Sequence, residues 1–314
     1  MRKFLLLSLL LCVACNKADH QETEDNKPQY INIKLNVNSE SVDMAYEPLR
    51  SSAEDRTYAI NVYQLNTNTN TYDYYCCGVF DNANNLSISF QKGCKYKLHI
   101  AMFVNYFNQY NYIIDNYKQQ TQTRLTAASN SFQYESSNIY DLENNCYLLA
   151  NEEYTRSIRP NIDSFHAIKE DYEPIENGTL NITLKRSSFG IGINIEGMEE
   201  GYINATLRTQ KYYNYSQPEI NITYPNNTYS GIYTMLNPFD EYDTMDLCIK
   251  YANANGETIE LIKENGFKFN KNVRTIFNIK LNKNIDQSSN SNISINIDKT
   301  DFTETTHNYN CTIN

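Results

Sequence analysis

The chain has no tryptophan, and only 10 glycines, 7 prolines and 4 histidines among 314 residues. No glycine-rich turn opens a helix, and no GxSxG or phosphate-loop pattern occurs, so the usual nucleotide and serine-hydrolase signatures are missing. None of His20, His99, His166 and His307 falls in an HExxH spacing and there is no CxxC pair, so no metal site is expected. Basic residues (27) are fewer than acidic ones (37), for a net charge of −10, and no Lys/Arg run is present. A nucleic-acid partner is therefore excluded on electrostatic grounds. Nothing selects two carboxylates for glycoside hydrolysis. No constellation supports an enzyme, and no cofactor is implied.

What is present is a globular composition. Hydrophobic residues make up 40%, with 27 Tyr and 13 Phe, too many for a disordered chain. The length suits about two domains with real cores. The 45 asparagines and the abundant tyrosines are the mark of an AT-rich genome and say little about function alone.

The first fifteen residues carry a strong signal. Arg2 and Lys3 precede an apolar or small stretch from Phe4 to Ala14. Eleven residues make a signal peptide, since a spanning helix needs roughly 20. The stretch closes Leu11-Cys12-Val13-Ala14-Cys15, which resembles a bacterial lipobox with Cys15 as the acylated residue; Cys12 stands where Leu is usual. Residues 1–14 are read as the signal peptide and 15–28 as a polar, flexible tether. Asp19, Glu22, Glu24 and Asp25 resemble the surface-export signals of Bacteroidota lipoproteins. Loss of Arg2 and Lys3 leaves 25 basic against 37 acidic residues, a net charge near −12.

Beyond residue 29 the pattern has period 2. Ile31/Ile33/Leu35/Val37, Leu86/Ile88/Phe90, Leu180/Ile182/Leu184, Ile191/Ile193/Ile195, Ile220/Ile222/Tyr224, Phe277/Ile279/Leu281 and Ile293/Ile295/Ile297 alternate with polar or small neighbours. Such alternation marks half-buried antiparallel strands. Turn clusters separate them at Asn82–Asn85, Glu176–Gly178, Glu199–Gly201, Asn253–Gly256 and Glu264–Gly266. The fold class is all-β, with two β-sandwich domains over residues 29–186 and 187–314. Residues 106–175 interrupt the pattern and read as a long irregular insertion, with surface loops and a short helix around Tyr140 to Ala150; regular strands resume at Thr179.

Residues Asn177 to Ile191 (NGTLNITLKRSSFGI) resemble the segment of Bacteroidales fimbrillin-like lipoproteins in which a strand ends in a Lys/Arg pair before the second domain. Tyr58–Gln64, Tyr74–Asp81 and Gly93–Lys97 resemble the early strands of that family, and Phe267–Ile276 its closing hairpin. The resemblance implies two tandem transthyretin-like sandwiches and a structural, anchoring or accessory role in fimbriae. The implied site is the outer membrane, with the lipid-anchored chain surface-exposed and other fimbrial subunits as partners.

It also implies assembly by strand complementation, in which a foreign strand fills a groove and pairs its edges. In such families cleavage after an Arg frees the first strand, here near Tyr30 to Val37. Arg50 and Arg56, in the polar linker that follows, are candidate processing sites or plain linker charges. Asn284 to Asn314 is the candidate donor, through Ile293/Ile295/Ile297, or the segment that completes its own second sandwich; the second reading is preferred. An alternative is a monomeric surface lipoprotein that binds glycan or host ligand through Tyr106, Tyr110, Tyr112 and Tyr117.

Three further features are local. Asp243-Thr244-Met245 resembles the O-glycosylation motif of exported Bacteroidota proteins, which makes Thr244 a candidate glycan site. Asp240–Asp243, after Pro238, reads as a solvated acidic loop. Outside Cys12 and Cys15, six cysteines remain: Cys76, Cys77, Cys94, Cys146, Cys248 and Cys311. Disulfides and buried thiols both fit an exported chain. Cys76 and Cys77 point to opposite faces of a strand, and His99 is expected on an outer face.

Overall fold

A computed structural model describes residues 28–39, 56–104, 112–115, 122–125, 130–134, 160–209, 218–283, 295–296 and 303–313. Regular structure among them is entirely strand. The chain runs β1 (Tyr30–Ser39), β2 (Arg56–Asn66), β3 (Thr71–Phe80), β4 (Leu86–Gln91), β5 (Tyr96–Val104), β6 (Tyr112–Asp115), β7 (Gln122–Leu125), β8 (Phe132–Gln133), β9 (Asp163–Tyr172) and β10 (Thr179–Arg186). It continues through β11 (Ser188–Glu196), β12 (Tyr202–Thr209), β13 (Glu219–Thr223), β14 (Thr228–Thr234), β15 (Tyr242–Ala252), β16 (Thr258–Asn270), β17 (Val273–Lys283), β18 (Ile295–Asn296) and β19 (Thr303–Ile313).

Period-2 sequence produces these strands directly. In β10 exposed and buried residues alternate from Thr179 to Arg186, and β1 and β13 do the same. Strands β4-β1-β10 form one layer of the first sandwich and β9-β5-β2-β3-β8 the other. The layers meet at a corner where β10 pairs with β9 only through Lys185 and Arg186. Between them lies a core of Ile33, Leu35, Ile88, Phe90, Tyr96, Ile100 and Leu184, each no more than 2% exposed. A second core, with Phe189, Ile203, Leu207, Met245, Phe269 and Phe277, fills the space between sheets β14-β11-β17-β19-β18 and β13-β12-β15-β16. Along the chain the two cores divide between Leu184 and Phe189.

Asparagine supplies many of the turns. Asn70, Asn85, Asn177 and Asn272 all adopt positive φ, between 55° and 60°, a conformation that Asn tolerates because its short amide can bond to nearby backbone.

The structure corrects four expectations. Strands do not wait for Thr179: β6, β7 and β8 lie inside the supposed insertion, and so does β9, which starts at Asp163. Its first four residues are buried on both faces, so they show no alternation. Gly266 does not end a strand; it sits within β16, at φ 71°, where the register to β15 shifts between Met245 and Leu247. That is a bulge, which glycine accommodates. Phe267–Ile276 is no hairpin, since β16 pairs with β15 while β17 pairs with β11 and β19. Asp243 is not in a loop but in β15, 4% exposed, accepting the Leu236 N–H at 2.7 Å. The supposed helix around Tyr140 lies outside the described residues.

Candidate functional site

Two terminal strands and the junction between the cores hold the features of interest. Strand β1 is central in its layer. It pairs antiparallel with β4 (Ile33 opposite Ile88) and parallel with β10 (Val37 opposite Ile182). Ile33 and Leu35 are 1% and 2% exposed. Without β1, both β4 and β10 would present unpaired backbone groups over an uncovered strip of core.

At the other end of the chain, β19 runs parallel to β17 over eleven residue pairs, from Val273–Thr303 to Lys283–Ile313. It therefore completes a sheet of its own chain. Its side chains are read by specific partners. Asn194 donates to Asn278 at 2.8 Å, and Asn278 donates to Asn308 at 2.7 Å, an amide ladder across β11, β17 and β19. The Tyr309 hydroxyl donates to Glu264 at 2.9 Å. His307 stacks on Phe277, and burial lowers its pKa. Of the Ile293/Ile295/Ile297 face only Ile295 is described, in β18.

The junction is polar and closed. Arg186 reaches Asp163 at 3.1 Å, both side chains 9% exposed, and its guanidinium lies over the Phe165 ring. Burial, the larger influence, raises the Asp163 carboxyl's pKa, and Arg186 opposes it. Ser164 Oγ lies 3.0 Å from both Ser187 Oγ and Ser188 Oγ, and the Ser164 N–H donates to Ser188 Oγ at 2.7 Å. On β5 and β9, His99 Nε2 and His166 Nδ1 are 3.3 Å apart. Phe239, from the second half of the chain, packs on both rings. His99 does face away from its own core, but this ring covers it. Burial lowers the pKa of both imidazoles, to about 4 for His99.

The predicted site residues are scattered. Cys15, Arg50, Tyr106 and Tyr110 lie outside the described residues. No side chain is described for Tyr112, which begins β6, and Tyr117 also falls outside. Arg56 is not in a linker: it opens β2 and pairs with Val104. Thr244 is half-buried in β15 opposite Lys268, between buried Asp243 and Met245. A glycosylating enzyme would meet that tripeptide in full only before folding. Cys76, Cys77, Cys94 and Cys248 are thiols. Cys76 lies in the first core, where burial raises its pKa, and Cys77 is buried too. Among the described residues no group of three His, Cys, Asp or Glu could hold a metal ion. Sequence reading missed Asp163 because it sits in the stretch read as irregular; the Lys185-Arg186 pair ahead of the second core was the available signal.

No family model and no curated protein match the chain. Several solved structures are similar to it, and they are Bacteroidales fimbrial proteins. The tip fimbrial protein Mfa3 of Porphyromonas gingivalis, truncated at its C-terminus, is 9% identical; 79% of this chain and 92% of that one are covered, with a TM-score of 0.35. A fimbrial assembly protein of Parabacteroides distasonis is 12% identical over 81% of this chain and 92% of its own, at a TM-score of 0.33. The fimbrial anchor protein Mfa2 of Porphyromonas gingivalis is 10% identical over 76% and 82%, again at 0.33.

Proposed function

We propose that this chain is a cell-envelope lipoprotein of fimbrillin type, held at the outer membrane through acylated Cys15 and displayed at the surface. There it acts in adhesion as a structural, anchoring or accessory component of fimbriae. Its two transthyretin-like sandwich domains, residues 29–186 and 187–314, follow the signal peptide and tether. It joins other fimbrial subunits by strand complementation. The observation that carries this reading is the placement of β1, a central strand that supplies Ile33, Leu35 and Val37 to the core and bonds on both sides. Its withdrawal would create an acceptor groove in one step. In a stalk role the favoured processing site is Arg50, because Arg56 is itself paired in β2, and that cut releases Cys15 together with β1; in an anchoring role both are kept. The lipobox-like sequence before Cys15 supports the anchor.

Immunoblots of outer-membrane fractions, heated mildly and then boiled in SDS, test the assembly. Strand-complemented complexes resist mild heat, so a ladder that collapses to one band on boiling is the expected result. A collapsed band shortened at Arg50 assigns a stalk role; a full-length band within the complex assigns an anchor. One full-length band in both lanes refutes assembly and leaves a monomeric lipoprotein that binds glycan or host ligand.

A further inference from the structure

A cavity of about 520 Å³ opens at the end of the first sandwich remote from the junction. Strand β2 starts at Arg56, opposite Val104, which pairs with Asp163, and ends at Asn66. Its far end is thus roughly 35 Å from the junction at the usual rise per strand residue. Gln64, Asn66, Asp73, Tyr74, Cys94 and Lys95 line the cavity. Asp73 is held in place: Asn66 Nδ2 donates to one carboxylate oxygen at 2.8 Å, and Thr71 Oγ1 to the other at 3.4 Å. Each oxygen keeps a lone pair for a further donor. Lys95 and the Gln64 amide add donors, and Leu65 adds an apolar patch.

Carboxylate and ammonium cancel, so the lining has no net charge to select a phosphate or another strong anion. A fixed carboxylate, amides and an ammonium lining one cavity suit the vicinal hydroxyls of a sugar ring. The volume lies within the ordinary range for ligand sites, room for about two or three pyranose rings.

The cavity's position also points to a source. The Lys92 N–H donates to the Gln29 carbonyl at 2.8 Å, so the chain enters the fold beside the Lys92–Lys95 turn that walls the cavity. The chain from Cys15 to Pro28 can hold that turn no farther than ~45 Å from an acylated Cys15.

We infer that this cavity is a glycan subsite for two or three neutral pyranose residues, bound through vicinal hydroxyls to Asp73, Lys95 and Gln64, and that the glycan belongs to the surface of the cell that carries the protein. The chemistry stands on the cavity; the choice of source rests on the Cys15 anchor proposed above.

The test is a titration of full-length protein in detergent micelles, followed by saturation-transfer NMR. One probe set is neutral oligosaccharide released from the producing cell's own surface polysaccharide, and the other is neutral mucin O-glycans. Binding of the first set is expected, weakened at least tenfold in Asp73→Asn and in Lys95→Ala, with the unfolding midpoint unchanged. No binding of either set at millimolar concentration overturns the proposal, as does binding that both variants leave intact. Mucin binding alone, lost in the variants, upholds the subsite and overturns the source. Labelled-palmitate incorporation at Cys15 is read on the same protein: glycan binding without palmitate overturns the tether argument and upholds the cavity chemistry.

Discussion

The Asp163–Arg186 pair shows what a buried charge does at a crossing point. Its side chains are 9% exposed and 3.1 Å apart, and Arg186 also reaches Asn272 at 3.4 Å. Removing one partner leaves the other charged and out of water, which costs about 3–5 kcal/mol, whereas replacing both with apolar groups of similar volume is often close to neutral. Asp163→Asn and Arg186→Met should therefore each lower unfolding stability by about 3 kcal/mol, and the double variant by clearly less than the sum. Denaturant melts of the four proteins in the cycle check this; strict additivity would show that the pair is not coupled. Residue-level reading of the sequence found Arg186 but not its partner. Opposite charges twenty-three positions apart are common in any chain, and only the fold brings these two together.

Strands differed in legibility according to how many of their faces are covered. Strand β1 has one wet face, and its alternation could be read from Ile31 to Val37. Strand β9 is covered on both faces at its start and wet at its end, but three of its four buried residues, Asp163, Ser164 and His166, are polar, so no apolar period marks it. Gly266 misled for a related reason. Glycine serves turns and bulges alike, and only the pairing of β15 with β16 decides between them. The segment 284–314 is expected from sequence to complete its own second sandwich through Ile293/Ile295/Ile297; the strand that pairs with β17 is instead β19, Thr303–Ile313, held by long-range partners, Asn278 and Glu264, that no local pattern reveals. For β1 the consequence is measurable. Leu35, 2% exposed, sits between β4 and β10, and Leu35→Ala should cost about 2–5 kcal/mol in chemical denaturation. Asn36→Ala, whose exposed amide donates to Asn181, should cost less than about 1 kcal/mol. Equal losses would mean that β1 is held by its edges and not by its core face.

At the scale of the whole molecule, the two cores communicate where Phe239 closes over His99 and His166. The 3.3 Å contact between His99 Nε2 and His166 Nδ1 needs one ring nitrogen to donate and the other to accept, so the two rings cannot both be protonated. Lys97 and Lys271 add positive charge nearby, and Phe103 and Phe239 cover His166. Burial is the main cause of the lowered pKa at both residues, with the value for His99 near 4. An unfolded imidazole titrates near 6.5. Above that pH both states hold neutral rings, and the pair has no pH-dependent effect. As the pH falls from about 6.5 toward 4 the unfolded chain takes up protons that the folded chain refuses, and stability is lost through that window. His307, whose pKa is also lowered, adds to the loss in wild type, so a variant is needed to isolate the junction. The thermal midpoint of wild type should fall between pH 7 and pH 4.8, a range that keeps most carboxylates ionised. The double variant His99→Phe/His166→Leu should show a distinctly shallower fall. Profiles of equal slope would mean that the rings take up protons without disturbing the junction, and that Phe239 does not hold the two halves together through them.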